Sequence, residues 1–152
     1  MDLEKKIQYL MDRREIDDKC ILYATLVDTK QFDRLDEVFT PDAYIDYRAS
    51  GGAEGDLTST IAYLKKATAR FRSMHMMSNI ACEIAPDGKT AKTKVMLHNP
   101  MTFTKEDGTD HTFFCGLWYL DDWVKTSDGW RMTRRIQELS YTHNSPFHGK
   151  KK

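Results

Sequence analysis

Two residues in the first half of the chain, Asp28 and His75, have the side chains of a proton-abstracting pair. Asp28 closes a segment with helical periodicity, and a carboxylate at an exposed helix C-terminus opposes the macrodipole at a cost of roughly 0.3–1 kcal/mol. An imidazole is a partner that would offset this cost, and the run Ser73-Met74-His75-Met76 supplies one. In an apolar pocket, an imidazole held by a carboxylate acts as a general base, because the carboxylate fixes the tautomer.

Both residues also have a purely structural interpretation, which the sequence leaves open. His75 is flanked by methionines, as a core histidine with one satisfied nitrogen would be, and Asp28 beside Lys30 is typical of a solvated helix end. Tyr23 and Tyr47 are similar cases. They could be core aromatic residues, whose buried hydroxyls would need hydrogen-bond partners. They could also donate a hydrogen bond to a substrate oxygen.

The direction of the Arg135 side chain depends on how the residues of its strand alternate between the two faces of the sheet. Simple alternation places it with Arg131 and Thr133 on a solvated face, opposite Trp130 and Met132. A bulge would turn it inward, where it could stabilise an anion.

The substrate-binding candidates are His98, Asn99, Leu97 and Met77. His98 shares the parity of Lys92, which predicts an outward side chain, whereas Leu97 and Asn99 point to the opposite face. Met77 follows the predicted catalytic histidine by two residues.

Composition limits the classes of function. The chain has 152 residues, which predicts one domain over 1–152 with a loosely ordered tail at 144–152. Its 23 basic residues balance 23 acidic ones, so no charge pattern favours nucleic acid or a membrane as partner. No apolar run reaches the length of a membrane span, and three widely spaced cysteines suit free thiols in the cytoplasm. No motif predicts a metal site.

The pattern of the chain predicts helices first and a sheet afterwards. One helical stripe is formed by Ile16, Cys20, Tyr23 and Val27, and the segment 3–11 is either a separate helix or its continuation. We expect a short helix over 31–39 that Pro41 helps to end, a strand over 43–47, a Gly-rich turn or entrance loop over 50–55 and a third helix capped by Asp56 or Thr58. Three Asp-Gly turns then separate four antiparallel strands, near 73–85, 90–103, 110–125 and 130–142. The predicted class is α+β, with a curved, mostly antiparallel sheet wrapped around the N-terminal helices.

This order of elements, with Asp28, Tyr47 and His75 in sequence, resembles the nuclear-transport-factor-2-like superfamily, whose members form a cone. Within it the chain is most similar to the SnoaL-like branch, which includes scytalone dehydratase, bile acid 7-alpha-dehydratase and hexachlorocyclohexane dehydrochlorinase. The stretch from Val27 to Leu35 resembles the segment that carries the catalytic aspartate, and Ser73 to Met76 resembles the strand that carries the catalytic histidine.

The resemblance also implies roles for three other residues. Tyr47 matches a substrate-side tyrosine of scytalone dehydratase, Tyr23 a tyrosine of the bile acid enzyme, and Arg135 the arginine of the dehydrochlorinase. The chain departs from scytalone dehydratase at Val27, where that enzyme has tyrosine, and at Gly116, where it has asparagine. These departures argue against scytalone itself as the substrate.

The resemblance implies a lyase without metal or cofactor, which eliminates water or a similar group from a small hydrophobic ring compound, or performs a retro-aldol cleavage. Two alternatives stay open. One is a non-catalytic ligand-binding or assembly subunit, such as the small subunit of a ring-hydroxylating dioxygenase. The other is an isomerase of the ketosteroid isomerase type. The resemblance further implies a homo-oligomer, a trimer before a dimer.

Overall fold

A long helix packs against a curled half-barrel sheet in the part of the chain, residues 2–147, that the computed structural model describes. Two short 3-10 helices, Phe32–Glu37 and Arg48–Ser50, stand between the regular elements. The regular elements are α1 (Leu3–Asp28), β1 (Phe39–Asp46), β2 (Glu54–Gly55), α2 (Leu57–Ala67), β3 (Arg72–Ser73), β4 (Met76–Ile84), β5 (Thr90–Thr104), β6 (Asp110–Thr126) and β7 (Gly129–His143). The predicted α+β class and its helix-in-sheet layout are confirmed.

Helix α1 is continuous, so the segment 3–11 is an extension of the predicted helix. The side chain of Asp2 caps its start by accepting from the backbone N–H of Lys5 at 2.9 Å. Burial begins only at Asp12, and the predicted stripe from Ile16 to Val27 lies against the core. The sheet therefore contacts the second half of the helix, the half that carries Tyr23 and Asp28.

The end of α1 is set by a left-handed residue. Lys30 has φ of 62°, and the backbone N–H of Gln31 donates to the carbonyl of Leu26 at 2.8 Å, which closes the last turn. The chain turns away immediately after Asp28 as a result. Its carboxylate is then free to face the sheet.

The region after α1 differs from the prediction. The short helix expected over 31–39 is a 3-10 helix over Phe32–Glu37, and Pro41 lies inside strand β1 instead of ending the helix. The pairing of β1 with β7 shifts register between Phe39 and Tyr44. A proline lacks the N–H that a regular ladder uses, so an irregular stretch is where a strand accommodates it.

The sheet order is β2-β1-β7-β6-β5-β3, with β4 also paired to β5. Strands β4 to β7 form the predicted antiparallel meander, and β1 runs parallel to β7. The first predicted strand, near 73–85, is divided into β3 and β4 by a break at residues 74–75. Helix α2 begins after Asp56, whose side chain accepts from the backbone N–H of Ser59 at 2.8 Å, as predicted.

A bulge in β7 decides which way Arg135 points. Asp122 pairs with Arg134 and Trp123 pairs with Met132, so Thr133 is an extra residue in its strand. Parity is reversed beyond this point, and Arg135 lies on the same face as Met132. Simple alternation, which places Arg135 in solvent, is therefore wrong.

The end of the described chain lies over one end of the sheet. The Asn144 amide donates to the carbonyl of Thr112 at 2.7 Å, and the Phe147 ring meets the rings of Phe71 and Phe113 edge-on. The predicted loose tail thus has contacts at residues 144–147, while residues 148–152 lie outside the described part. No helix among residues 2–147 has the length and apolar character needed to cross a membrane.

Candidate active site

Asp28 and His75 form the polar centre of the candidate site. The imidazole Nδ1 lies 2.6 Å from Asp28 Oδ1, and the backbone N–H of His75 donates to Oδ2 at 2.7 Å. The hydroxyl of Ser73 donates to Oδ1 at 2.7 Å. The His75 side chain is 9% exposed and that of Asp28 is 20% exposed. The structure therefore brings together the pair that the sequence predicts.

The break between β3 and β4 makes this geometry possible. Met74 still donates its backbone N–H to the carbonyl of Pro100 on β5, at 3.2 Å, but His75 belongs to neither strand. Its N–H is therefore available to the carboxylate that α1 places above the break. One carboxylate consequently fixes both the backbone and the ring of the histidine.

The environment of Asp28 favours its ionised form. Burial alone would raise the pKa of this carboxyl, but the ring and backbone hydrogen bonds of His75, its positive charge when protonated and the Ser73 hydroxyl together hold the pKa below its ordinary value. An ionised carboxylate can only accept, so the short contact assigns the Nδ1 proton to His75. In the neutral imidazole, the other ring nitrogen, Nε2, is then without a proton and can accept one.

Asn99 lies beside that basic nitrogen. Its Nδ2 is 3.4 Å from His75 Nε2, a long contact in which the amide donates. Asn99 is 6% exposed on the inner face of β5. The prediction that Asn99 points away from the face of Lys92 is confirmed.

A cavity of about 360 Å³ opens in front of His75. Ligand pockets in proteins commonly have volumes of roughly 300–1,000 Å³, so this one is large enough to hold a small molecule. Most of its wall is apolar or aromatic, contributed by Val27, Tyr63, Leu64, Phe71, Leu97, Met101, Phe113, Cys115, Leu117, Tyr119 and Phe147. The predicted entrance loop takes part through Ser50, Gly51 and Gly52.

Gly52 has a steric reason to be glycine. A Cβ at this position would lie 2.7 Å from Cβ of Tyr47 and 2.8 Å from its carbonyl oxygen. The loop can therefore pass close to Tyr47 only without a side chain here. This close approach sets the wall of the cavity next to the tyrosine.

Tyr23 and Tyr47 line the cavity and share a hydrogen bond. Their hydroxyl oxygens are 2.8 Å apart, and both residues are almost fully buried. Burial, together with Tyr23 and Tyr119 nearby, raises the pKa of Tyr47 well above its ordinary value, so its hydroxyl keeps its proton. Because one hydroxyl donates to the other, the pair has one proton left to donate to a ligand.

Arg135 does not line the cavity. It is fully buried, and its Nε and Nη2 donate to the two oxygens of Asp121 at 2.7 and 2.8 Å. The guanidinium carbon lies 4.2 Å from the Tyr23 ring centre and 3.9 Å from that of Tyr119. The predicted direct contact of Arg135 with a departing anion is therefore corrected. Its guanidinium instead packs against Tyr23 and Tyr119, two residues of the cavity wall, without reaching the cavity.

Two substrate-binding candidates lie away from the cavity, and Leu97 lines it. His98 is on the outer face of the sheet, where Nδ1 meets the Tyr141 hydroxyl at 2.7 Å. The same Tyr141 ring covers Gly116, where an added Cβ would come within 2.1 Å of a ring carbon. Met77 packs against the core without reaching the cavity. Both assignments are corrected because strand parity turns His98 outward and Met77 sits beyond the wall.

The sequence candidates omit most of the aromatic wall. Phe113, Cys115, Leu117 and Tyr119 alternate along β6 and all face the cavity. Alternation shows that they share a face, but a core and a cavity wall have the same pattern. Arg70 and Phe147 at the rim follow no periodic pattern at all.

Comparison with known proteins places the chain in a family, since residues 8–136 match the SnoaL-like domain. The chain belongs to the SnoaL-like family. An uncharacterized protein of Mycobacterium tuberculosis is 43% identical over 129 residues, which span 84% of this chain and 85% of that protein. No three His, Cys, Asp or Glu side chains within residues 2–147 of this SnoaL-like chain are grouped so that they could hold a metal ion.

Several solved structures have the same fold as this chain. A Novosphingobium aromaticivorans protein provisionally named a scytalone dehydratase is 20% identical with a TM-score of 0.80, covering 95% of this chain and 93% of that one. Hexachlorocyclohexane dehydrochlorinase LinA-type3 from Novosphingobium barchaimii is 15% identical with a TM-score of 0.75, covering 95% and 96%. At these identities the likeness shows the fold, and the predicted nuclear-transport-factor-2-like architecture is confirmed.

Proposed function

We propose that the chain is a lyase that eliminates water, or a similar leaving group, from a small hydrophobic ring compound without a cofactor. One observation carries the proposal: His75 is held by an ionised carboxylate at Nδ1 and lines an apolar cavity beside Asn99, the neighbour of Nε2. His75 faces a cavity, whereas a histidine that served only the core would be surrounded by packed side chains. The names of the two similar enzymes, a dehydratase and a dehydrochlorinase, both describe eliminations.

The reaction begins with proton removal. His75 Nε2 takes a proton from a carbon next to a ring carbonyl, and the electrons of the broken C–H bond move onto the carbonyl oxygen. The free proton of the Tyr23–Tyr47 pair donates to that oxygen as its charge develops. A positioned base typically contributes about 10²–10⁴-fold, and one donor at developing charge roughly 2.7–4 kcal/mol.

The leaving group departs in the second step. The enolate electrons return to form a C=C bond, the C–O bond to the leaving hydroxyl breaks, and the imidazolium returns the proton to give water. Asp28 stabilises the imidazolium between the two steps. His75 ends neutral, so each turnover restores the starting state.

Elimination can be measured with a bicyclic β-hydroxy ketone that becomes a fluorescent naphthol on losing water. We expect His75→Ala to abolish turnover while the variant unfolds at a temperature close to that of the wild type. His98→Ala, an outer-face histidine on the neighbouring strand, is the matched control and should retain full turnover. Unchanged turnover in His75→Ala would contradict the proposal.

Mass spectrometry of the same reaction in deuterated water separates elimination from isomerisation. Elimination gives a product lighter by one water. A product of unchanged composition that has gained solvent deuterium would favour the isomerase. No reaction, with the ketone bound intact and His75→Ala binding it equally, would favour a ligand-binding subunit.

A further inference from the structure

Asn99 has a buried hydrogen-bond acceptor with no partner. Its Nδ2 is used by His75 Nε2, but no group among residues 2–147 donates to its Oδ1. The residue is 6% exposed and belongs to the cavity wall, in line with Leu97 and Met101 on β5. A buried acceptor left unpaired is unfavourable, so proteins rarely keep one without a use.

A second polar group of the cavity wall offers the opposite chemistry. The Tyr23–Tyr47 pair has a proton to donate and therefore suits a substrate carbonyl. An amide oxygen can only accept, so a carbonyl or an ether oxygen of a ligand cannot satisfy it. The two polar groups therefore select different substituents of one ligand.

We propose that Asn99 Oδ1 accepts a hydrogen bond from a hydroxyl of the substrate, which makes the substrate a hydroxylated cyclic ketone. This hydroxyl stays in the product. A departing oxygen must gain a proton, and an amide oxygen has none to give. Asn99 is thus a specificity residue, and the inference rests on the proposed function for the role of His75 as base.

The position of the hydroxyl follows from the geometry of one side chain. Nδ2 and Oδ1 belong to the same planar amide, and Nδ2 contacts the base. A hydroxyl held by Oδ1 is therefore close to the carbon that faces His75 Nε2. Asn99 aligns that C–H with the base through the same group that orients the base.

Binding of three naphthalene probes to the full chain tests this inference. β-Naphthol has a hydroxyl that donates, its methyl ether only accepts, and β-methylnaphthalene does neither at almost the same size. We expect the wild type to bind β-naphthol about tenfold more tightly than β-methylnaphthalene, and the ether no better than the hydrocarbon. The change in naphthalene fluorescence on binding gives the three dissociation constants.

Asn99→Leu removes the acceptor and keeps the approximate shape, so its preference for β-naphthol should fall to about unity while its affinity for β-methylnaphthalene is retained. Asn99→Asp keeps an acceptor oxygen at this position and should therefore keep the preference for β-naphthol. Thr142→Val, a matched loss of a hydroxyl elsewhere on the cavity wall, should keep it. Thermal unfolding of each variant verifies that it is folded.

The inference is overturned if Asn99→Leu still prefers β-naphthol, or if His75→Phe or Thr142→Val abolishes the preference instead. It is also overturned if the wild type shows no preference. Its failure is distinct from that of the proposed function. If the preference for β-naphthol depends on Asn99 but no elimination occurs, only the proposed reaction is refuted. If elimination depends on His75 but the preference for β-naphthol is absent, only the role of Asn99 is refuted.

Discussion

The carboxylate of Asp28 binds His75 twice, through the ring Nδ1 at 2.6 Å and through the backbone N–H at 2.7 Å. One group therefore sets both where the histidine lies and which of its nitrogens carries the proton. Two elements distant in sequence, the end of α1 and the break between β3 and β4, must be in register for this to occur. A carboxylate that would oppose the helix dipole in isolation is stabilised here by the donors it meets.

Asp28→Asn tests this double role. The amide has the same shape and can donate through Nδ2, which would favour the wrong tautomer of His75. We expect kcat for the elimination to fall by about 10²–10⁴-fold with a small change in stability. Steady-state kinetics and thermal unfolding measure the two effects. Asp18→Asn, on an exposed part of the same helix, should leave kcat unchanged, and equal losses in both variants would argue against a special role for Asp28.

Loss of the Tyr47 hydroxyl should affect the rate more than the fold. Tyr47→Phe breaks the hydroxyl pair that positions a proton towards a developing oxyanion, so we expect kcat to fall by about 10²–10³-fold. It also leaves the Tyr23 hydroxyl without its buried partner, which should cost about 1–3 kcal/mol in the free energy of unfolding. Tyr44→Phe, a partly exposed tyrosine on β1, serves as the control for both measurements.

A spectroscopic measurement checks the raised pKa of Tyr47. Burial disfavours the phenolate, so this group should stay protonated while ordinary tyrosines ionise near pH 10. The phenolate absorbance of the wild type and of Tyr47→Phe should therefore follow the same curve through about pH 10. A curve in which the wild type gains one additional phenolate in that range would show that Tyr47 is not shielded.

The sequence predicts the positions of α2 and the meander because each depends on local chemistry. It predicts the Asp28–His75 pair, whose members are 47 positions apart, from the chemistry of the two side chains together with the family resemblance. Asp56 caps a helix, Asp-Gly turns separate strands, and a carboxylate at a helix end needs a donor. The position of Arg135 could not be predicted in this way. One extra residue in β7, Thr133, reverses the face of everything that follows, and no local pattern marks it.

The presence of the cavity also could not be predicted from the sequence. Phe113 and Tyr119 have the alternation of a packed core, and only the curvature of the sheet leaves space in front of them. His98 shows the converse, because its parity already predicts the outer face that the structure confirms. Alternation thus predicts the face of a residue but not whether that face meets a helix or a hollow.

Arg135 should contribute strongly to the stability of the wild type, in contrast to its exposed neighbour Arg134. Asp121 and Arg135 are both fully buried and bound by two hydrogen bonds, and removing one member leaves an uncompensated buried charge. We expect Arg135→Met to lower the free energy of unfolding by about 3–5 kcal/mol in urea titrations. Arg134→Met should change it by less than about 0.5 kcal/mol.

The double variant Arg135→Met/Asp121→Leu separates packing from charge. Replacing both members of a buried pair by apolar residues is often neutral or stabilising, so the double variant should recover much of the lost stability. A folded double variant that retains kcat would show that Arg135 acts only by supporting Tyr23 and Tyr119. Loss of kcat in that folded variant would instead indicate that its charge reaches the reaction.

Asp12 should make the stability of the chain depend on pH. It is buried between α1 and the sheet, where Lys125 Nζ lies at 2.6 Å and the Trp130 indole N–H donates at 3.1 Å. Burial alone would raise the pKa of this carboxyl, but these donors hold it below its ordinary value of 3.8. A depressed folded-state pKa stabilises the protein fully above the unfolded value, and the stabilisation is lost as pH falls through the folded value.

Asp12→Asn should therefore be less stable than the wild type by about 1.5–3 kcal/mol at neutral pH, the range for hydrogen bonds to a charged group. The difference should persist down to about pH 5 and narrow below the ordinary carboxyl pKa, as the wild type takes up a proton that the amide variant cannot. Urea unfolding of both proteins at about pH 7, 5 and 3 measures the difference directly. A gap that stays constant or widens in acid would mean that Asp12 is not ionised in the folded protein, because only an ionised carboxylate loses its advantage by gaining a proton.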